Sequence, residues 1–186
     1  MVGVNPDVKP GVIALSHQRF IYVIGNNIVL HNVSEKVQKY IPGTEGAEGF
    51  SMFEMSPCNK FLVVCEKAQQ ALCTIYELHG DNVKRRRRLT AAELLATEFV
   101  SISFARTEDK LQQYVCTLTN KCTDGHYKIV VWLWDKQYKM VTYANVKLDV
   151  GVDQVPLNAS FNPEDPRSIV ITGKNIYRYL KMNNNF

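Results

Sequence analysis

The sequence predicts an all-β chain made of WD-repeat β-propeller blades. The run Lys128-Ile129-Val130-Val131-Trp132-Leu133-Trp134-Asp135-Lys136 is an apolar strand that closes on Trp-Asp and a charged turn, as the third strand of a blade does. The segments before and after it repeat one order of strands at a spacing of roughly 50 residues, close to the ~40 to 45 of a WD repeat once loops are allowed for. Within each round the polarity follows a gradient: a first strand stopped near Ser/Asn-Pro or its equivalent, a very apolar second, an aromatic third and a more polar fourth. Inner strands buried between neighbouring blades and a half-exposed outermost strand produce that gradient. An antiparallel sandwich also spaces short strands evenly, but it has no reason to repeat a four-strand order.

In chain order, Arg19-Phe20-Ile21-Tyr22-Val23-Ile24 is a run of β-formers stopped by the hairpin signal Gly25-Asn26-Asn27. Ile28 to Val33 and Val37 to Ile41 complete a three-strand partial blade over 19–41. The connection Pro42 to Gly49 has no Gly-Lys-Ser/Thr opening a helix, so it reads as a surface loop and not a phosphate cradle. A first full blade follows over 50–88: Phe50 to Pro57, Lys60 to Cys65, Ala71 to Leu78, and a fourth strand in the basic run from Lys84. Between blades, Thr90-Ala91-Ala92-Glu93-Leu94-Leu95-Ala96 predicts a short helical turn, with Thr90 and Glu93 spaced as a capping box. The second full blade spans 99–145 and includes the Trp strand, with Trp132, Trp134 and Asp135 as its structural residues. Three strands of a last, partial blade occupy 156–182.

Nearly half of the 186 residues are hydrophobic (46%) and 22% are charged, an ordinary balance for a globular domain. The net charge of +4 is too small to imply nucleic acid by itself. The first residues lack the basic and apolar regions of a secretory signal, and no apolar stretch approaches the roughly 18 residues needed to span a bilayer, so a cytoplasmic protein is expected. The odd number of cysteines, mostly inside apolar runs (Cys65, Cys73, Cys116), fits a reducing compartment. The sequons at Asn32 and Asn158 then have no role.

Lys84-Arg85-Arg86-Arg87-Arg88 is the strongest charge feature and the candidate partner-binding site. Two readings stand: a solvated outer strand whose charges protect a sheet edge, or a patch for an acidic surface. Nucleic acid is disfavoured because no aromatics are interleaved with the arginines. Cys122 and His126 share a loop, but with Cys116 they lack any Cys-x-x-Cys pairing, so no metal is expected. His17, His31, His79 and His126 lie in unrelated contexts without a nucleophile motif, so neither an enzyme nor a cofactor is expected.

The segments Tyr40-Ile41-Pro42-Gly43-Thr44-Glu45, Thr74 to Leu78, Val131 to Gln137, Ser160-Phe161-Asn162-Pro163 and Val170-Ile171-Thr172-Gly173, in this order and spacing, resemble the N-terminal region of the cilia- and flagella-associated protein 57 family of axonemal WD-repeat adaptors. The resemblance covers nearly the whole chain from Phe20. It implies tandem propellers and a coiled coil in the family, a place on the axonemal doublet microtubule of the cilium, in the cytoskeleton, and partners among inner-arm dyneins and regulatory complexes. About two full blades with three strands at each end fall short of the four to eight of a closed propeller. The expectation is therefore an incomplete propeller, a piece of a longer protein or a short paralogue completed by a second WD-repeat chain. No membrane partner is expected.

Overall fold

A computed structural model describes residues 7–106, 114–135 and 139–182. Its described residues form four consecutive antiparallel sheets, each a meander in chain order. The first holds β1 (Val12–Ser16), β2 (Arg19–Ile24), β3 (Asn27–Asn32) and β4 (Val37–Pro42), and the second β5 (Gly49–Met55), β6 (Phe61–Lys67), β7 (Leu72–His79) and β8 (Asn82–Leu89). The third holds β9 (Phe99–Phe104), β10 (Tyr114–Thr119), β11 (Lys128–Leu133) and β12 (Lys139–Asn145), and the last β13 (Val155–Phe161), β14 (Ser168–Lys174) and β15 (Ile176–Lys181). These are the blades of an incomplete propeller.

The first blade corrects the sequence reading, which has three strands over 19–41. A fourth, β1, pairs with β2 through Val12 opposite Tyr22 and Ala14 opposite Phe20. It is short, follows Pro10-Gly11 and stays half exposed along its length, so neither burial nor a long β-forming run marks it.

Each pair of neighbouring blades encloses its own core. Ile21, Val23, Ile28 and Leu30 of the first blade meet Phe53, Leu62 and Val64 of the second. Val63, Cys73, Ile75 and Leu89 on the second blade's other face meet Phe99, Val130, Trp132 and Trp134 of the third. Cys116, Ile129 and Val131 then meet Ala159, Phe161, Ile169 and Ile171. The alternation of side chains along each strand supplies both faces of a middle blade, which is why β6 opens on the apolar run Phe61 to Cys65 and β10 is buried from Val115 to Thr119.

Two serines join the innermost strands. Ser51 of β5 donates to the Phe99 carbonyl of β9 at 3.0 Å, and Ser101 of β9 sits 2.9 Å from the Ala159 amide and 3.2 Å from its carbonyl on β13. A β-bulge near the start of the inner strands of the last three blades, at Ser51, Val100 and Leu157, repeats with the blades. Such a bulge bends the strand and raises its local twist.

The helical segment between blades two and three forms as a single 3-10 turn, Ala92–Leu94, without the expected capping box. Thr90 Oγ1 donates instead to the Ala71 carbonyl at 3.0 Å, tying the connection to the second blade. What fixes the turn is Lys128, a lysine only 3% exposed. Its Nζ donates to the Leu94 carbonyl and pairs with Asp124, each at 2.7 Å, and lies 5.9 Å from the Tyr143 ring centre. Replacement Lys128→Met keeps the stem but leaves the carbonyl unmatched. We expect a loss of about 1–3 kcal/mol, read as a lower urea midpoint at unchanged slope; an unchanged midpoint would refute the clamp.

Candidate partner-binding surface

The basic run forms most of β8, the outermost strand of the second blade, and residues Lys84 to Arg88 are all exposed. Five consecutive cations do not make one patch. The register places Lys84 opposite Glu77, Arg85 opposite Tyr76, Arg87 opposite Ile75 and Arg88 opposite Thr74, with Arg86 as the extra residue of a β-bulge. Pleat and bulge together send Arg85 and Arg88 to the face that looks at the first blade, while Lys84 and Arg87 share the face of the third.

On that second face the charges are largely engaged. Arg86 Nε meets Glu77 at 2.7 Å, and the same carboxylate meets His79 Nε2 at 3.0 Å. Arg87 Nη2 donates to the Asp135 carbonyl at 3.0 Å, so the outer strand of one blade reaches the Trp-Asp turn of the next. The Asp135 carboxylate itself makes no hydrogen bond or ion pair with another described residue. Lys136, next in the turn, lies outside the described residues. Trp132 and Trp134 are both buried, and the Trp132 indole donates to Thr117 Oγ1 at 2.9 Å.

Towards the first blade the situation differs. A cleft of about 740 Å³ opens between the end of β4 with its following loop and the outer half of the second blade. Tyr40, Ile41, Pro42, Gly43, Thr44 and Glu45 form one wall, and Tyr76, Val83, Arg85 and Arg88 the other. Arg88 Nη2 reaches only the Thr44 hydroxyl, at 3.3 Å, and Arg85 makes no ion pair among the described residues. Beneath them Glu66 is 2% exposed, and its two oxygens accept from the Thr44 amide at 2.6 Å and the Thr44 hydroxyl at 2.8 Å. The loop read as a free surface connection is thus anchored at its start by a buried carboxylate. Burial raises the Tyr76 phenol above its ordinary pKa and the Glu66 charge adds to this, while Arg85 and Arg88 pull it back.

Lys39 Nζ meets Asn82 Oδ1 at 3.3 Å and Arg19 pairs with Asp81 at 3.3 Å, so the two blades are also joined along the cleft's flank. Strand order could not reveal Tyr76 as a neighbour of Arg85, because the two lie on different strands. In space the basic run thus has one tyrosine beside it, while Tyr40 lies on the other face of β4, its hydroxyl donating to Gln38 Oε1 at 2.7 Å.

The other candidates are scattered. Cys116 packs between blades three and four with its thiol 3.8 Å from the Ala159 carbonyl, whereas Cys122 packs between blades two and three beside Thr119 Oγ1 at 3.3 Å. Among the described residues no group of three or more His, Cys, Asp or Glu could hold a metal ion. No helix of the described residues is long and apolar enough to cross a membrane.

No protein-family model matches the chain. It is similar to cilia- and flagella-associated protein 57 of Mus musculus, 28% identical over 96% of this chain and 14% of that protein. It is likewise similar to cilia- and flagella-associated protein 57 C of Tetrahymena thermophila, 26% identical over 94% of this chain and 13% of that protein. The chain thus spans about a seventh of the length of these curated relatives. Among solved structures, the β-propeller domain of Cps50 (Swd1) from Myceliophteria thermophila superposes with a TM-score of 0.62 at 9% identity, over 88% of this chain and 49% of that one. A chain of the mitotic checkpoint complex superposes with a TM-score of 0.64 at 11% identity, over 95% of this chain and 52% of that one. These likenesses establish the propeller fold, and the relatives establish the resemblance to ciliary and flagellar proteins.

Proposed function

We propose that the chain is a non-enzymatic adaptor of the ciliary axoneme, joining the doublet microtubule to inner dynein arms or their regulatory complexes. The observation that carries this reading is the similarity to two cilia- and flagella-associated proteins along almost the whole chain, in a mammal and a ciliate. A propeller by itself hosts many functions, so the fold contributes only the means: rigid blades that present strands and loops to partners. Lys84, Arg85, Arg86, Arg87 and Arg88 form the proposed partner-binding strand, and Trp132, Trp134 and Asp135 belong to the framework behind it.

A second partner surface follows from the first and last blades. Large hydrophobic side chains are exposed there, Val12 and Tyr40 on the first and Leu157, Tyr177 and Tyr179 on the last. Further propeller blades, of the same polypeptide or of a second WD-repeat chain, would cover them. Cross-linking mass spectrometry on detergent-extracted axonemes tests the assignment. Lysine links from Lys84 or Lys39 to tubulin, dynein or another WD-repeat chain are expected. Recovery of the protein only in the soluble fraction would replace the ciliary reading by that of a general cytoplasmic interaction module.

A further inference from the structure

We propose that the cleft between the outer strands of the first two blades binds an acidic, glutamate-rich peptide segment through Arg85 and Arg88. This deepens the reading of the basic strand as a partner-binding surface and does not depend on the ciliary assignment. Of the five cations in the run, the pleat delivers these two to one hollow, and neither is matched there by a carboxylate contact. Glu66, the acid buried below, has both oxygens engaged by Thr44. Its role is to hold the wall, and the guanidinium groups keep their donors for a ligand. A planar guanidinium pairs with a carboxylate through two parallel N–H···O bonds, so two arginines on one wall suit two acidic side chains of an extended segment.

Size and rigidity agree. A hollow of about 740 Å³ is large enough for a few residues but not for a folded partner. Its walls are set beforehand by the shared core of the two blades, the Lys39 to Asn82 contact and the Arg19 to Asp81 pair, so little ordering is required on binding. The outer strands β4 and β8 have no further strand beside them among the described residues, which leaves backbone N–H and C=O groups to meet an extended chain.

A nucleic acid is the competing ligand, since Tyr76 offers a ring beside the arginines. Charge distribution favours the peptide. Arg86 is paired with Glu77 and Arg87 is turned to the third blade, so no continuous basic track follows a phosphate backbone.

The test is fluorescence anisotropy of the full chain with a fluorescein-labelled octaglutamate peptide, against an octaglutamine peptide and an oligothymidine of the same length. Salt-sensitive binding of octaglutamate alone is expected, and the double variant Arg85→Ala/Arg88→Ala should weaken it by about tenfold or more. Lys181→Ala, at an exposed lysine on the last blade, should leave it within about twofold. The pair Arg85→Lys/Arg88→Lys, with the thermal melt of every variant, separates a lost site from a lost fold. Equal binding of octaglutamine, or an equal loss in Lys181→Ala, would overturn the cleft as the site. Tighter binding of oligothymidine would overturn the peptide as its ligand. A protein absent from axonemes that still binds octaglutamate through these arginines leaves this inference standing while the ciliary reading falls.

Discussion

Replacing Glu54 by glutamine is expected to remove most of the pH dependence of stability between about pH 4.5 and pH 7 and to stabilise the protein at pH 8. Glu54 lies on β5, the innermost strand of the second blade, opposite Val63. Burial pushes its carboxyl group up to about 7, against the opposing effects of the Phe104 backbone amide and the Arg106 charge. In the unfolded chain the same group titrates near its ordinary value of 4.5. Below that value both states are protonated and the group is neutral in the balance. Between the two values the folded state keeps a proton that the unfolded state has released, so stability falls as pH rises, by up to about 1.4 kcal/mol per unit. Above pH 7 both states are ionised and the full cost, about 3 kcal/mol, is in place.

Asp149 and Asp165 run the other way, their carboxyl groups held down by hydrogen bonds from Arg178 and Ser168 respectively. They stabilise above the ordinary aspartate range and that contribution is lost only in stronger acid. The window from pH 5 to pH 8 therefore isolates Glu54 from them. Urea titrations of wild type and Glu54→Gln at the two ends of this window should show a large loss for the first and a small one for the second. Parallel losses in both proteins would refute the assignment.

How far the sequence reveals the fold depends on which force sets each element. The apolar second strands, such as the stretch Phe61 to Cys65, are legible because burial on both faces demands an unbroken hydrophobic run. Strand β1 is hidden because it is five residues long and only Ile13 and Leu15 of it pack against the core, both partly buried. The inner-strand bulges at Ser51, Val100 and Leu157 are hidden for a different reason: three unlike side chains occupy the same place, since the feature is one of register. Thr90 and Glu93 show the converse, a local motif overruled when the Thr90 hydroxyl finds the Ala71 carbonyl on the neighbouring blade.

The candidate surface was legible in charge and not in shape. Counting cations from Lys84 to Arg88 locates the strand, but a single bulge decides which of them look into the cleft. Thr44, Glu66 and Tyr76 come from three separate segments and carry no common signal. A buried glutamate in an apolar strand was the one available hint, because such a group must find donors, though which donors only the fold can say.

The substitution Trp134→Ala is expected to cost about 3–5 kcal/mol, the range for emptying a buried aromatic site. Trp134 is 4% exposed and directly follows β11, so its ring is not confined to the cross-strand pairs of that ladder. Instead it meets Phe61 of β6 edge to face, with centres 4.7 Å apart, and Phe104 of β9 at 6.4 Å. One ring therefore joins the second blade to the third, and aromatic pairs of this geometry add about 0.5–1.5 kcal/mol each beyond the area they bury. Trp132→Phe is the informative contrast: it keeps the edge contact with Phe99 and loses the indole bond to Thr117, for about 1 kcal/mol plus whatever small void the narrower ring leaves. Asp135→Asn should cost less still, since the bond to Arg87 uses the backbone carbonyl. Denaturant midpoints at constant slope would rank the three as Trp134→Ala, Trp132→Phe, Asp135→Asn. If Asp135→Asn proved the most damaging, its carboxylate would be the fastener of the turn. With the expected order, the Trp-Asp ending works through its ring, as a bolt between neighbouring blades.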